Sequence, residues 1–118
     1  MAVTAAGSGT QSATVTTEHT LLDIAAAGTY TLHVDLINMA AGDTLELRCY
    51  QMVLTGGTRR TCYFQNYMDA QGGDDTYPRI AISVPISNEL TDAGALRFTL
   101  KQTTGTSRNF PWKVLRYA

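Results

Sequence analysis

The feature that most constrains this chain is an alternation of apolar and polar residues with a period of two. It is clearest in residues 29–37, where one face would carry Tyr30, Leu32, Val34 and Leu36. Successive side chains of a strand point to opposite faces of the sheet, so the pattern predicts a strand with one buried face.

Seven further segments have strand character, and stretches rich in Gly, Asn, Asp and Pro separate them. They are residues 13–17, 20–24, 44–54, 59–68, 79–86, 95–102 and 108–117. No helical pattern of ten or more residues interrupts them, which argues against parallel βαβ units. We therefore predict an all-β fold, an antiparallel β-sandwich of about eight strands with a jelly-roll or another Greek-key topology.

The domain organisation follows from the length of 118 residues and from the N-terminal composition. Residues 1–12 contain Gly7, Ser8 and Gly9 and almost no large apolar side chain. We predict that they form a flexible arm that orders only against a partner, and that residues 13–118 form a single β-sandwich domain. Residues 103–107, which contain Gly105, are predicted to be the tip of the last hairpin.

The segments 44–54 and 59–68 predict a long central hairpin around the Gly56-Gly57 pair. A two-residue turn there would place Tyr50 opposite Tyr63 and Cys49 opposite Phe64. One face of this hairpin is then apolar and is predicted to be core: Leu45, Leu47, Cys49, Val53, Cys62, Phe64 and Met68.

The other face of this hairpin mixes aromatic, Met and Arg side chains, a composition found at the centres of protein interfaces. An alternative is that another sheet or loop of the same domain covers this face. The residues predicted to contact a capsid or another copy of the chain are Arg48, Tyr50, Met52, Arg59, Tyr63 and Tyr67.

The same register predicts the state of the only two cysteines, Cys49 and Cys62. They would be diagonal neighbours roughly 7–8 Å apart, beyond comfortable disulfide reach. We predict two buried free thiols. A register slip of two residues would place them opposite each other and reverse this prediction.

Catalytic and metal-binding patterns are weak in this chain. The segment Gly7-Ser8-Gly9 is the only resemblance to a hydrolase nucleophile turn, and it lies in the predicted arm. His33 would project away from the face that holds both cysteines, so no Cys–His pair is expected. Two Cys and two His without a C-x-x-C spacing do not suggest zinc, and Asp69, Asp74 and Asp75 are more simply turn residues than calcium ligands. We therefore predict no enzymatic activity, no metal and no cofactor.

Charge and hydropathy also exclude some partners. The formal net charge of −1 argues against nucleic acid as a partner, because such binding requires a basic face. No apolar run approaches the roughly 20 residues that span a bilayer, so no membrane partner is expected. The first residues also lack the basic and apolar regions of a signal peptide.

Three segments carry a resemblance to a known family. They are residues 20–36, with G-x-Y-x-L-x-V-D-L, residues 39–48, with A-A-G-D, and residues 110–115, with F-P-W-K-V-L. In these features the chain resembles the small β-sandwich head decoration, or cement, proteins of tailed bacteriophages. The resemblance covers most of residues 14–118 and concerns general features rather than a site motif.

The resemblance implies a structural virion protein that binds the outside of a phage head and stabilises it. The implied partners are the major capsid protein and other copies of the chain in a dimer or trimer, and the implied location is the capsid surface after synthesis in the host cytoplasm. The alternative is a carbohydrate- or receptor-binding module of a phage tail, which predicts exposed aromatic side chains such as Trp112 or Tyr77. A hydrolase on a β scaffold is the weakest hypothesis.

Overall fold

The strands form where the apolar and polar residues alternate and where turn residues interrupt the pattern. The computed structural model describes residues 2–71 and 79–118, and these contain no helix, so none that could cross a membrane. The strands in these two ranges are β1 Val3–Ser12, β2 Glu18–Ile24, β3 Gly28–Asp35, β4 Thr44–Gln51, β5 Arg60–Met68, β6 Ile80–Ile82, β7 Ile86–Asn88, β8 Leu96–Thr104 and β9 Asn109–Tyr117.

The nine strands form two antiparallel sheets that pack face to face. One sheet has the order β1-β9-β3-β6, with β7 also pairing with β3, and the other has the order β2-β8-β4-β5. The two sheets share one hydrophobic core, and β1 contacts β2 across the sandwich. The prediction of an antiparallel β-sandwich is confirmed, and of the topologies left open this strand order favours a jelly roll.

Most of the large core side chains occupy apolar positions predicted from the alternation. Burial of each such side chain contributes roughly 1.5–3 kcal/mol. Tyr30 brings a polar hydroxyl into this core, and the hydroxyl donates a hydrogen bond to the Ala26 carbonyl at 2.8 Å. The residues that alternate into the core are Tyr30, Leu32, Val34, Leu36, Leu45, Leu47, Cys49, Leu96, Phe98, Leu100, Phe110 and Val114.

The predicted flexible N-terminal arm is instead a strand of the sandwich. Val3–Ser12 pairs with β9 along its length, with one irregularity near Gly7. A Cβ atom added at Gly7 would lie 3.0 Å from the Leu22 side chain, and one at Gly9 would lie 3.5 Å from the Trp112 indole. The small residues therefore let β1 approach bulky neighbours closely and do not mark an arm.

Two connections also differ from the prediction. Residues 13–17 form a turn rather than a strand, and the Thr16 amide donates to the Gln102 carbonyl at 2.7 Å. The segment predicted as a hairpin tip at 103–107 is not one, because β8 and β9 belong to different sheets. Residues 105–108 instead carry the chain from one sheet to the other.

The central hairpin forms, but its register differs from the predicted one. The strands end at Gln51 and begin at Arg60, so the tip comprises residues 52–59 instead of two glycines. The tip is held by the adjoining loop: the Met52 amide donates to the Ala95 carbonyl at 2.9 Å, and the Gly56 amide donates to Asp92 Oδ2 at 2.9 Å. The connection is therefore longer than the two-residue turn predicted from Gly56-Gly57, and these bonds hold it in place.

A β-bulge at Cys62 then decides which side chains of β5 face inward. Cys49 pairs with Tyr63 and Tyr50 pairs with Thr61, so the register passes over Cys62. Directly opposite residues share a face, so β5 is reversed relative to the prediction. Of the predicted core residues of this hairpin, four are exposed instead: Val53, Cys62, Phe64 and Met68.

Candidate interaction surface

The solvent side of the β2-β8-β4-β5 sheet carries charged and aromatic side chains in cross-strand rows. Two rows run Asp23, Arg97, Tyr50 and Glu18, Lys101, Glu46 across β2, β8 and β4. A third row brings Thr99, Arg48 and Phe64 together. We call this side the outer face and define it by Glu18, Thr20, Asp23, Glu46, Arg48, Tyr50, Phe64, Arg97, Thr99 and Lys101.

The structure separates the six predicted interface residues. Arg48 and Tyr50 lie on the outer face, and Arg59 lines its edge. Met52 is buried, so it is unavailable to a partner. Tyr63 and Tyr67 are partly buried and pack against the core, because the bulge turns them inward. The predicted single face of Arg48, Tyr50, Met52, Tyr63 and Tyr67 is therefore wrong as a geometric unit.

Arg48 is held in place on both sides. Its guanidinium lies 2.9 Å from a carboxylate oxygen of Glu46 and 4.8 Å from the centre of the Phe64 ring. An arginine over an aromatic ring gains cation–π attraction as well as covering apolar surface. Arg48 and Phe64 therefore present a flat, partly apolar platform to solvent.

Glu18, at the start of the edge strand β2, accepts two short hydrogen bonds on the outer face. The Tyr50 hydroxyl donates to it at 2.6 Å and the Thr99 hydroxyl at 2.7 Å. Partial burial opposes ionisation, but the bonds from Thr99 and Tyr50 outweigh it and lower the pKa of Glu18. Partial burial and this carboxylate raise the pKa of Tyr50, so the pair stays a carboxylate and a phenol.

Asp23 and Arg97 form a two-pronged ion pair at the same surface. The guanidinium donates to both carboxylate oxygens, at 2.7 and 3.0 Å. The hydrogen bond from Arg97 is the main cause that lowers the pKa of Asp23. Nearby, Arg59 donates to the Gly94 carbonyl at 3.3 Å.

Between these pairs lies a shallow depression of about 330 Å³. Its one carboxylate, that of Glu18, already accepts two hydrogen bonds, so the depression offers fixed donors and acceptors rather than a free general base. Such an arrangement suits recognition of a polar partner or ligand. The residues that line it are Glu18, Thr20, Tyr50, Arg59, Arg97 and Thr99.

Tyr63 and Tyr67 contribute to the packing of the domain and do not form a surface that a partner could contact. They interact with each other through their side chains, and both lie against the core. Burial, with a smaller effect of Tyr67, raises the pKa of Tyr63 to about 12. Both rings therefore stay neutral and cover the core beneath β5.

Several large exposed apolar side chains lie on or just after the edge strands β5 and β6. These two strands lie on the same lateral edge of the sandwich, because β1 and β2 stack at the other edge. The sequence pattern suggested that Ile80, Ile82 and Val84 share a side with Ile86. The structure buries Ala81 and Ser83 instead, and the Ser83 hydroxyl accepts the Leu32 amide at 2.9 Å. We call the exposed set the apolar rim: Phe64, Met68, Ile80, Ile82 and Val84, each between 47% and 61% exposed.

The residues considered for catalysis or metal binding do not come together. His33 lies on the other sheet and shares a hydrogen bond of 2.9 Å with Thr31, whereas Cys49 lies in the core. Asp69 accepts the Gly42 amide at 2.9 Å, as expected of a turn residue. Within the described ranges no three His, Cys, Asp or Glu residues cluster as metal ligands. The predicted calcium candidates Asp74 and Asp75 lie outside those ranges.

Of the two aromatic residues suggested for sugar binding, the structure describes Trp112. Trp112 is partly buried and packs against the core, in agreement with the apolar alternation of β9. Tyr77 lies outside the described residues.

Comparisons with protein-family models, curated proteins and solved structures found no match to this chain.

Proposed function

We propose that this protein is a non-enzymatic structural protein of a phage virion that binds the outer surface of the head and stabilises it. Its partners would be the major capsid protein and other copies of the chain, in a dimer or trimer. The location would be the capsid surface, after synthesis in the host cytoplasm. The observation that carries the proposal is the apolar rim on the edge strands β5 and β6.

The apolar rim supports a role in association because it leaves five large apolar side chains in solvent on or beside two edge strands, and exposed apolar surface is typical of interaction sites. Its residues are beside two sheet edges, where unpaired backbone groups can also meet a neighbour. Covering the rim would contribute about 25 cal/mol for each Å² of apolar surface removed from water. Modest contacts of this kind become effective when many identical copies bind one shell.

The fold and the sequence resemblance support the same proposal. Jelly-roll sandwiches occur in viral capsid and lectin domains, so the strand order is compatible with a virion protein. The resemblance of residues 20–36 and 39–48 to head decoration proteins favours the head over other locations. Neither nucleic acid, nor a membrane, nor a cofactor is part of the proposed role.

The test is to add the purified protein to heads assembled without it and to count the bound copies per head. The double variant Ile80→Asp, Ile82→Asp charges the rim at exposed positions, so it should fold normally and lose at least roughly tenfold in apparent affinity. The matched control is Val53→Asp, which charges an apolar residue that is 81% exposed at the hairpin tip, outside the rim. It should bind like the wild type.

The outcomes separate the parts of the proposal. Binding of the rim variant at wild-type occupancy would remove the rim from the interface. Absence of wild-type protein from every head tested would overturn the proposed function. Deleting residues 1–12 is not a suitable test, since it removes β1 and exposes β9.

A second candidate, carbohydrate or receptor binding, is favoured by the depression of about 330 Å³ on the outer face. Its hydrogen-bonding groups could orient a sugar or another polar ligand. In that case a glycan array should give signals that Arg97→Ala abolishes, while head binding is absent. Signals that survive Arg97→Ala would exclude this depression as the binding site.

A further inference from the structure

The bulge in β5 brings the two thiols of the chain together. Cys62 is the residue that the β4–β5 register passes over, between the pairs Cys49–Tyr63 and Tyr50–Thr61. Its sulfur donates to the Cys49 carbonyl at 3.3 Å, and the two thiols also interact with each other. The predicted diagonal separation, which depended on a register without a bulge, is therefore wrong.

The two thiols are free, as predicted, but they differ in access. Cys49 is buried, whereas Cys62 is exposed, contrary to the prediction that both are buried. Burial raises the pKa of the Cys49 thiol, and the neighbouring Cys62 adds to the effect. A reagent in solution therefore meets Cys62 first.

We propose that Cys62 is a site of thiol–disulfide exchange with small-molecule disulfides of the glutathione class, and that Cys49 then closes a Cys49–Cys62 cross-link. A disulfide needs Cβ atoms roughly 3.5–4.5 Å apart. The contact of 3.3 Å between the Cys62 sulfur and the Cys49 carbonyl oxygen already brings the Cys62 side chain against residue 49. The inference depends on the bulge and on the two exposures alone, and it holds whether or not the protein decorates a phage head.

The exchange has two steps, each of which forms one S–S bond and breaks one. The Cys62 thiolate attacks a sulfur of glutathione disulfide, and the glutathione that leaves takes up the proton that Cys62 released. Cys49 then loses its proton and attacks the Cys62 sulfur, and the second glutathione leaves with that proton. Two protein thiols are oxidised to one disulfide, and one glutathione disulfide is reduced to two thiols.

The cross-link would secure an edge strand of its sheet. Among the described residues β5 pairs with β4 alone, and it carries Phe64 and Met68 of the apolar rim. A bond between Cys49 and Cys62 closes the loop that contains the tip 52–59 and restricts the unfolded chain. The melting temperature should therefore rise by roughly 5 °C or more on oxidation.

The test is to incubate the folded protein with glutathione disulfide, block remaining thiols and digest with trypsin. Cleavage after Arg48, Arg59 and Arg60 places Cys49 in peptide 49–59 and Cys62 in peptide 61–79. The expected product is these two peptides joined by a disulfide, from protein that stays monomeric on a non-reducing gel. Closure should follow a mixed disulfide on Cys62 and become faster as the pH rises.

Two variants assign the steps. Cys62→Ser changes an exposed residue and should abolish both products, whereas Cys49→Ala should leave the mixed disulfide on Cys62 and prevent closure. If Cys49→Ala does not fold, the time course of the wild type gives the same order of events. The proposal is overturned if glutathione joins Cys62 without closure even after prolonged incubation at about pH 9, or if the folded protein does not react at Cys62.

Discussion

The two ends of the sandwich are held by the same kinds of bonds in different surroundings. At one end, which we call the Asp43 end, lie the connections 13–17, 36–43 and 105–108; at the other, the hairpin end, lie 25–27, 52–59 and 89–95. Asp43 is 1% exposed and accepts the Ala40 amide at 2.9 Å, the Thr106 amide at 3.2 Å and the Arg108 guanidinium at 2.9 Å. One carboxylate thus joins two connections.

Gln102 completes the Asp43 end from inside the core. Its amide nitrogen donates to the carbonyls of Thr104, at 3.0 Å, and Thr106, at 2.7 Å. Its amide oxygen accepts the Arg108 amide at 3.1 Å. The amide nitrogen and the amide oxygen of this buried side chain therefore both have hydrogen-bond partners. These bonds fix the geometry of the connection 105–108.

The hairpin end has short bonds that water can reach. The Asp23–Arg97 pair has distances of 2.7 and 3.0 Å, but the Asp23 side chain is 43% exposed. The tip leaves Val53 and Leu54 in solvent. The comparison teaches that the contribution of a hydrogen bond to stability cannot be judged from its length. The exposure of the bonded groups to water matters more.

The largest expected effect comes from removing the two aspartates in turn. Asp43→Ala leaves the Ala40 and Thr106 amides and the partly buried Arg108 without their acceptor, and should lower the free energy of unfolding by about 3 kcal/mol. Asp23→Ala, with its shorter bond, should lower it by less than about 1 kcal/mol. Urea unfolding of both variants measures the difference. Equal losses would contradict the comparison.

Glycines with positive φ offer a second matched pair, with a smaller effect. Gly105 has φ of 90°, and an added Cβ atom would collide with the Asp43 carboxylate, whereas Gly56 has φ of 75° and open space around it. Gly105→Ala should cost about 2 kcal/mol from strain and crowding together. Gly56→Ala should cost only the backbone strain, about 1 kcal/mol. Thermal unfolding would contradict this if the two variants behaved alike.

Acid should weaken the Asp43 end by a smaller amount than the substitution does. Burial alone would raise the pKa of Asp43, but the bonds from the Ala40 amide and from Arg108 outweigh it and lower the pKa. The stabilisation is therefore complete above about pH 4, the ordinary value for an aspartate, and is lost as the pH falls through the lower folded value.

Urea unfolding between about pH 6 and pH 3 measures this loss, with Asp43→Asn as the control. The variant starts less stable and should lose less over that range. Parallel profiles for the two proteins would show that other carboxylates, such as Asp23 and Glu18, carry the acid sensitivity.

The sequence was sufficient to predict the central strands and most of the core. The alternation in β3, β4 and β8 identified Leu32, Leu47 and Phe98 as buried. In a strand that lies between two others, only one of the two faces is apolar, so the side that faces the core is unambiguous. The fold class followed from the number and spacing of such segments.

The edges of the sheets and the candidate surface could not be predicted in the same way. The hairpin tip that precedes the bulge at Cys62 is bonded to Asp92 and Ala95, far along the chain. The observed register differs from the predicted one by one residue. Tyr63 and Tyr67 therefore face the core, and Phe64 lies on the outer face. Asp43 was predicted only as part of a turn, since its partners Thr106 and Arg108 lie more than sixty residues away.

The position of β9 between β1 and β3 has a consequence for how the polypeptide acquires its shape. Gly9 pairs with Trp112 and Val3 with Tyr117, so the first strand must wait for the last one to leave the ribosome. Pairing over such sequence separations makes folding slow, in the millisecond-to-second range typical of all-β topologies. During synthesis, β1 has few large apolar side chains and two glycines, so it offers little apolar surface for aggregation while its partner strand is still being translated.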